Sequence, residues 1–93
     1  MGLGFEWDEA KATLNLRKHG VAFAEASTIF VDPLGVTISD RLHSEGEVRF
    51  LLLGLSTQGR LLVVSHVDRG ERIRIISARD ATRQERREYE QRP

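Results

Sequence analysis

From Val48 onward the chain repeats one pattern. "VRFLLLGL", "LLVVSHV" and "RIRIISA" are apolar, extended-type runs separated only by "STQGR" and "DRGE". Connections this short force neighbouring runs to pair antiparallel, because a parallel return needs a crossover of a dozen or more residues. The first run is apolar throughout, as a central strand covered on both faces would be, whereas Arg72-Ile73-Arg74-Ile75 alternates with period two. Upstream, "GVTISD" places Val36 and Ile38 on one face and Thr37 and Ser39 on the other, in the manner of an outer strand. The polar stretch "DRLHSEGE" between them reads as a loop. An antiparallel meander of about four strands therefore dominates the fold.

Before Asp32-Pro33 the period is helical. A short extended piece, Phe5 to Trp7, is followed by Asp8, which can cap a helix running to about His19. Ala10, Leu14 and Arg17 share one face of it, with Ala12 and Leu16 close by, and Gly20 stands where a left-handed terminal residue is expected. In "AFAEASTIFVDP", Phe23, Ala26 and Phe30 recur at helical spacing and Ile29 widens the stripe. Pro33 then forces its predecessor out of the helical region. At the other end, Thr82 and Glu85 form a capping-box pattern opening a helix of roughly residues 83–92. Tyr89 is its only large apolar side chain. These elements predict one α+β domain over residues 1–93. Both N-terminal helices lie on one sheet face, and the last helix forms a charged wall beside the other.

Composition narrows the setting. A chain of 93 residues must build an economical core, and without cysteine it has neither a disulfide nor a thiolate zinc site to staple it. The apolar runs are too short to cross a bilayer and no signal-peptide region opens the chain, so a soluble, cytoplasmic protein is expected. Formal charge is zero, which argues against indiscriminate nucleic-acid binding. Its distribution is uneven, however. Residues 1–59 carry five Lys/Arg against eight Asp/Glu, and residues 60–93 carry nine against six, all nine being arginine. The planar guanidinium fork grips phosphate at two points.

Those arginines are the candidate chemistry. Arg72 and Arg74 share a strand face by alternation, Arg83 follows on the first helical turn, and Arg79 falls where the strand ends, so its direction is open. Converging guanidiniums would bind an RNA phosphate and the extra negative charge of a five-coordinate transition state. Arg60, Arg72, Arg86 and Arg87 are candidate substrate contacts around Arg74, Arg79 and Arg83. The plainer alternative is an edge strand and helix wetted by ion-paired charge. His66, late in "LLVVSHV", is a candidate proton shuttle, or else a half-buried strand histidine. His19, at a helix end, reads as structural, and His43 beside Ser44 and Glu45 as a weak ligand or base. Tyr89 is either the anchor of the last helix or a phenol offered to substrate. The histidines are scattered without ligand spacing, so no metal or other cofactor is expected.

"FEWDEAKATLNLRKHGVAFAEASTIFVDP", "HSEGEVRFLLLGLS" and "RIRIISARDATRQERREYE", in that order, resemble the BrnT toxins, the toxic component of bacterial type II toxin–antitoxin pairs. The resemblance covers nearly the whole chain. It implies a RelE-like fold and a metal-independent endoribonuclease that arrests growth. Its partner would be a BrnA-type ribbon-helix-helix antitoxin that masks the toxin and represses the operon with it. Carried onto this chain, the resemblance puts Arg79 of "SAR" first as phosphate or transition-state ligand, followed by Arg74, Arg83 and Arg86. Better-understood RelE-type relatives use lysines and a C-terminal tyrosine around the scissile phosphate. Here no lysine follows Lys18, which leaves His66 and Tyr89 as contenders for moving protons. Two alternatives remain: a toxin of this fold that inhibits by binding alone, and an inactive copy serving as corepressor.

Overall fold

The structure, a computed structural model, describes residues 4–40 and 46–91. His43, Ser44 and Glu45 lie outside the described residues, as does Arg92 at the expected end of the last helix. Five strands form one mixed sheet: β1 (Gly4–Glu6), β2 (Val36–Ser39), β3 (Phe50–Leu55), β4 (Leu61–Arg69) and β5 (Arg72–Asp80). Their order across the sheet is β1-β5-β4-β3-β2. The predicted meander is β2 to β5, each strand antiparallel to the next, and β1 adds to its far edge parallel to β5. The central strand is β4 rather than β3, and residues 61–67 are all buried.

Helix α1 (Glu9–His19) starts and stops as its sequence dictates. The Asp8 carboxylate accepts from the Lys11 amide at 3.1 Å, and Gly20 closes the helix at φ 70°. The second helical stretch is divided: α2 spans Phe23–Ser27 and tightens into a 3-10 turn, Thr28–Val31. The hydroxyls of Ser27 and Thr28 donate to the carbonyls of Ala24 and Glu25 at 2.7 and 2.6 Å, a local bonding that competes with regular helix. Pro33 then holds Asp32 in an extended conformation.

Two apolar layers sandwich the sheet. On the α1/α2 face, Val21, Phe23, Ala26 and Ile29 pack on Leu52, Leu62, Val64, Ile75 and Ala78. Phe5 stacks edge-on against Phe30 at 5.2 Å and Trp7 against Phe23 at 5.9 Å, so the residues around β1 seal that layer. The other face carries a smaller cluster, Leu53, Leu61 and Val63, partly covered by α3 (Arg83–Glu90) through Tyr89.

One irregularity decides where the arginines point. Ser65 pairs with Ser77 but His66 pairs with Ile75, which leaves Ile76 as an extra residue in β5. Arg74 and Arg79 are five positions apart and would fall on opposite faces of a regular strand. The bulge removes one step, so Arg74 opposite Val67 and Arg79 opposite Val63 share the α3 face.

Candidate functional site

The site is built where the last turn of β5 meets α3. Arg79 donates from both terminal nitrogens to Glu85, Nη1 to Oε1 at 2.8 Å and Nη2 to Oε2 at 2.9 Å. Glu85 is also the third residue of α3. Its carboxylate accepts the Thr82 amide at 2.8 Å while the Thr82 hydroxyl accepts the Glu85 amide at 3.1 Å, completing the predicted capping box. One carboxylate thus caps the helix and orients the guanidinium. The Arg79 fork and the Thr82 bonds hold the Glu85 carboxyl down at about 2, against its partial burial. Glu85 in turn raises the Arg79 pKa. The Arg79 side chain remains 39% exposed.

One turn on, the Tyr89 hydroxyl donates to Asp32 Oδ2 at 2.7 Å. Asp32 also accepts the amides of Leu34 at 2.9 Å and Leu55 at 2.8 Å, so it ties the start of the meander to the end of the chain. Tyr89 also packs on the smaller apolar cluster, as an anchor would. Between α3 and the sheet lies a half-enclosed apolar cleft of about 50 Å³, floored by Ile38, Leu51, Leu53 and Val63 and rimmed by Glu85 and Glu88.

The arginines are not gathered into a single pocket. Arg72 and Arg74 both bridge to Glu6 of β1, at 3.2 and 3.1 Å. Four ladder steps separate Arg74 from Arg79, about 13 Å along the strand. Arg60 belongs to the other layer, where it donates to Glu25 at 3.0 and 2.6 Å and to the Gly20 carbonyl at 3.1 Å, locking α2 to the start of β4. The Ser56 hydroxyl adds a bond to Glu25 at 2.7 Å, and Glu25 is held ionised mainly by Arg60. Arg83 and Arg87 stand on the outer side of α3 beside Gln84, Glu88 and Gln91, in a shallow depression. Neither has an ion-pair partner among the described residues. Arg86 is 3.9 Å from Glu90 along the helix.

His66 lies across the sheet from these groups. Its partner in β3 is Phe50, and its ring sits 4.9 Å from that of Phe30 and 5.8 Å from that of Phe50. Neither ring nitrogen has a hydrogen-bond partner among the described residues, and the Asp68 carboxylate stands 3.8 Å from Nδ1. Burial pushes its pKa down, against a smaller opposing pull from Asp68. The structure therefore does not bring His66 to the arginine face. His19 ends α1 as expected. Sequence reasoning gave Glu85 as a cap and, with Glu88 and Glu90, as a generic ion-pair partner on the helix face, and passed over Asp32 and Glu6. A carboxylate six residues beyond Arg79 was the available signal, but its direction depends on the bulge at Ile76.

A family profile described as "Ribonuclease toxin, BrnT, of type II toxin-antitoxin system" matches residues 7–85. The chain belongs to this family. BrnT toxins are thus its relatives, and type II membership implies an antitoxin partner and an RNA substrate. The matched segment contains Arg60, His66, Arg72, Arg74, Arg79 and Arg83 and ends at Glu85, so Arg86, Arg87 and Tyr89 lie beyond it. The fold is similar to that of the Brucella abortus ribonuclease toxin BrnT, a crystal structure at 1.1 Å resolution. The sequences are 21% identical over 88% of this chain and 100% of that one, with a TM-score of 0.66. Among curated proteins no sequence matches significantly.

Proposed function

We propose that this BrnT-family chain is a RelE-like, metal-independent endoribonuclease that cuts RNA through the RNA's own 2′-hydroxyl, with Arg79 as the phosphate ligand. The observation that carries this reading is the Arg79–Glu85 pair: a guanidinium fork already flat, oriented and partly open to solvent. A phosphodiester offers two anionic oxygens with the same bidentate geometry as a carboxylate, so substrate phosphate can take the place of Glu85 on the fork. Displaced from Arg79, Glu85 loses the main cause of its low pKa and becomes a better base beside the phosphate. In this scheme Glu85 takes the 2′-hydroxyl proton, the 2′-oxygen bonds to phosphorus, and the 5′-oxygen leaves with a proton. Tyr89, four residues along the same helix face, is the donor assigned to that leaving oxygen. Arg79 carries the extra charge of the five-coordinate state. Arg72, Arg74, Arg83, Arg86 and Arg87 are backbone contacts in this reading, whereas Arg60 with Glu25 holds the scaffold. The partner would be a BrnA-type ribbon-helix-helix antitoxin, acting with the toxin in the cytoplasm on their own operator.

Purified toxin in the presence of a chelator should yield fragments with 2′,3′-cyclic phosphate and 5′-hydroxyl ends. Arg79→Ala should lose about 10²-fold or more of that activity with its melting temperature preserved within a few degrees, and Arg79→Lys should not restore it. Ends bearing 5′-phosphate, or a requirement for magnesium, would overturn the mechanism. A second reading, a toxin that inhibits by binding or an inactive corepressor, is favoured by the way Arg60, Arg74 and Arg79 each sit on a separate carboxylate. Growth arrest without RNA cleavage selects the first of these, and no growth defect selects the second.

A further inference from the structure

The chain has two lysines, Lys11 and Lys18, and both line one shallow, open groove of about 500 Å³ between α1 and the outer edge of β5. Arg17 and His19 add to the same wall with the exposed Leu14 between the lysines, Ile76 and Ser77 form the strand side, and among the described residues no carboxylate lines it. On α1, Lys11, Asn15 and Lys18 are spaced i, i+4, i+7, the stripe that a helix normally turns apolar to cover a sheet. Here the stripe is mostly polar, and Leu14 at i+3 is left exposed, because there is little sheet left to cover. Strand β1 pairs with β5 only as far as Arg74, so the outer edge of β5 beyond it has no strand neighbour among the described residues.

Asn15 closes part of that edge. Its Nδ2 donates to the carbonyls of Ala78 and Val21 at 2.9 Å each, and its Oδ1 accepts the Ala78 amide at 3.1 Å. Both backbone groups of Ala78 are thereby occupied, which blocks an added peptide strand from pairing along the edge. What remains on offer is positive charge around the exposed Leu14, a surface suited to a phosphate backbone with a base laid on the leucine. Lys11 and Lys18 stand about 10 Å apart along the helix axis, each exposed, a spacing that lets them meet separate phosphates of one strand. Ser77 connects this groove with the proposed cleavage site. Just past the bulge, it lies two residues before Arg79 and on the same face as that guanidinium.

We infer that the α1–β5 groove binds the backbone of single-stranded RNA and leads it around the free edge of β5 to Arg79. This rests on the ribonuclease reading above and adds a site to it. The test is the binding of a fluorescein-labelled single-stranded RNA to the whole chain over a series of salt concentrations, with wild type beside Lys11→Gln/Lys18→Gln. Both positions are solvent-exposed and glutamine has a similar helix propensity, so melting temperature should not move. The double variant should bind several-fold more weakly. The slope of log K against log salt should fall by about 1.4, the release expected for two phosphate contacts on a single strand. In cleavage assays KM should rise while kcat holds. Wild-type affinity and slope in the double variant would overturn the groove and leave the ribonuclease reading standing. RNA binding absent from wild type itself would overturn both. Unchanged RNA binding combined with weakened antitoxin binding would overturn the RNA assignment and give the groove to an acidic protein segment.

Discussion

His66 is a titratable group enclosed by rings. A neutral imidazole carries one donor and one acceptor, and here both lie among Phe30 and Phe50 without partners among the described residues. Leaving such groups unmet costs about 1–3 kcal/mol. Because burial lowers the folded pKa, the unfolded chain binds the proton first. Stability contributed by the neutral ring is therefore complete above the ordinary value of 6.5 and declines as pH falls below it toward the depressed folded value. Asp68, 3.8 Å away, opposes this only in part. Leucine at this position keeps approximate volume and removes the orphaned nitrogens. His66→Leu should therefore gain about 1 kcal/mol in urea titrations at neutral pH and flatten the loss of stability between pH 7 and 5. RNA cleavage by that variant should be unchanged. Loss of cleavage with a retained melting temperature would return His66 to the list of proton carriers.

At the scale of elements, α3 is the instructive case. Its sequence contains a capping box and one aromatic residue, which is enough to locate its start and its anchor. The face it covers followed from the N-terminal helices taking the other one, but the direction of Arg79 did not. That was settled by the bulge at Ile76, a single extra residue that alternation arguments do not register, and it turns Arg79 toward Glu85. The same limit explains β5 as a whole: its existence and its partner β4 were legible from turn spacing, but the face of its last third was not. α1 could be read to the residue at both ends, since Asp8 and Gly20 each carry a local signal. Its buried contact could not, because Asn15 looks like any polar helix position until Ala78 arrives from 63 residues away. Tyr89→Phe tests what holds α3. The hydroxyl bond to Asp32 is charge-assisted, so its removal should lower stability by about 1–2 kcal/mol and speed amide exchange across α3 more than in β4. Uniform acceleration in both elements would mean that α3 opens only with global unfolding.

Across the whole molecule α3 packs toward β3 and β2, while β1 holds the opposite sheet edge beside β5. β1 lies outside the segment matched by the family profile, which begins at residue 7, yet it carries much of the architecture on that side. Phe5 completes the larger apolar layer through Phe30, and the single Glu6 carboxylate bridges Arg72 and Arg74. A three-residue strand has little intrinsic stability, so its hold comes from these side chains and from parallel pairing with β5. Two substitutions separate the roles. Phe5→Ala removes ring packing and should cost about 2–3 kcal/mol, lowering the melting temperature by roughly 10–20 °C in a chain of this size. Glu6→Gln keeps the strand but frees two guanidiniums that are already partly solvated, so stability should change by less than about 1 kcal/mol. If Arg72 and Arg74 are RNA contacts, the same change should tighten RNA binding at low salt, because the competing carboxylate is gone. Weaker RNA binding in Glu6→Gln would instead show that the carboxylate is needed to orient the two arginines, and that β1 is part of the substrate site as well as of the fold.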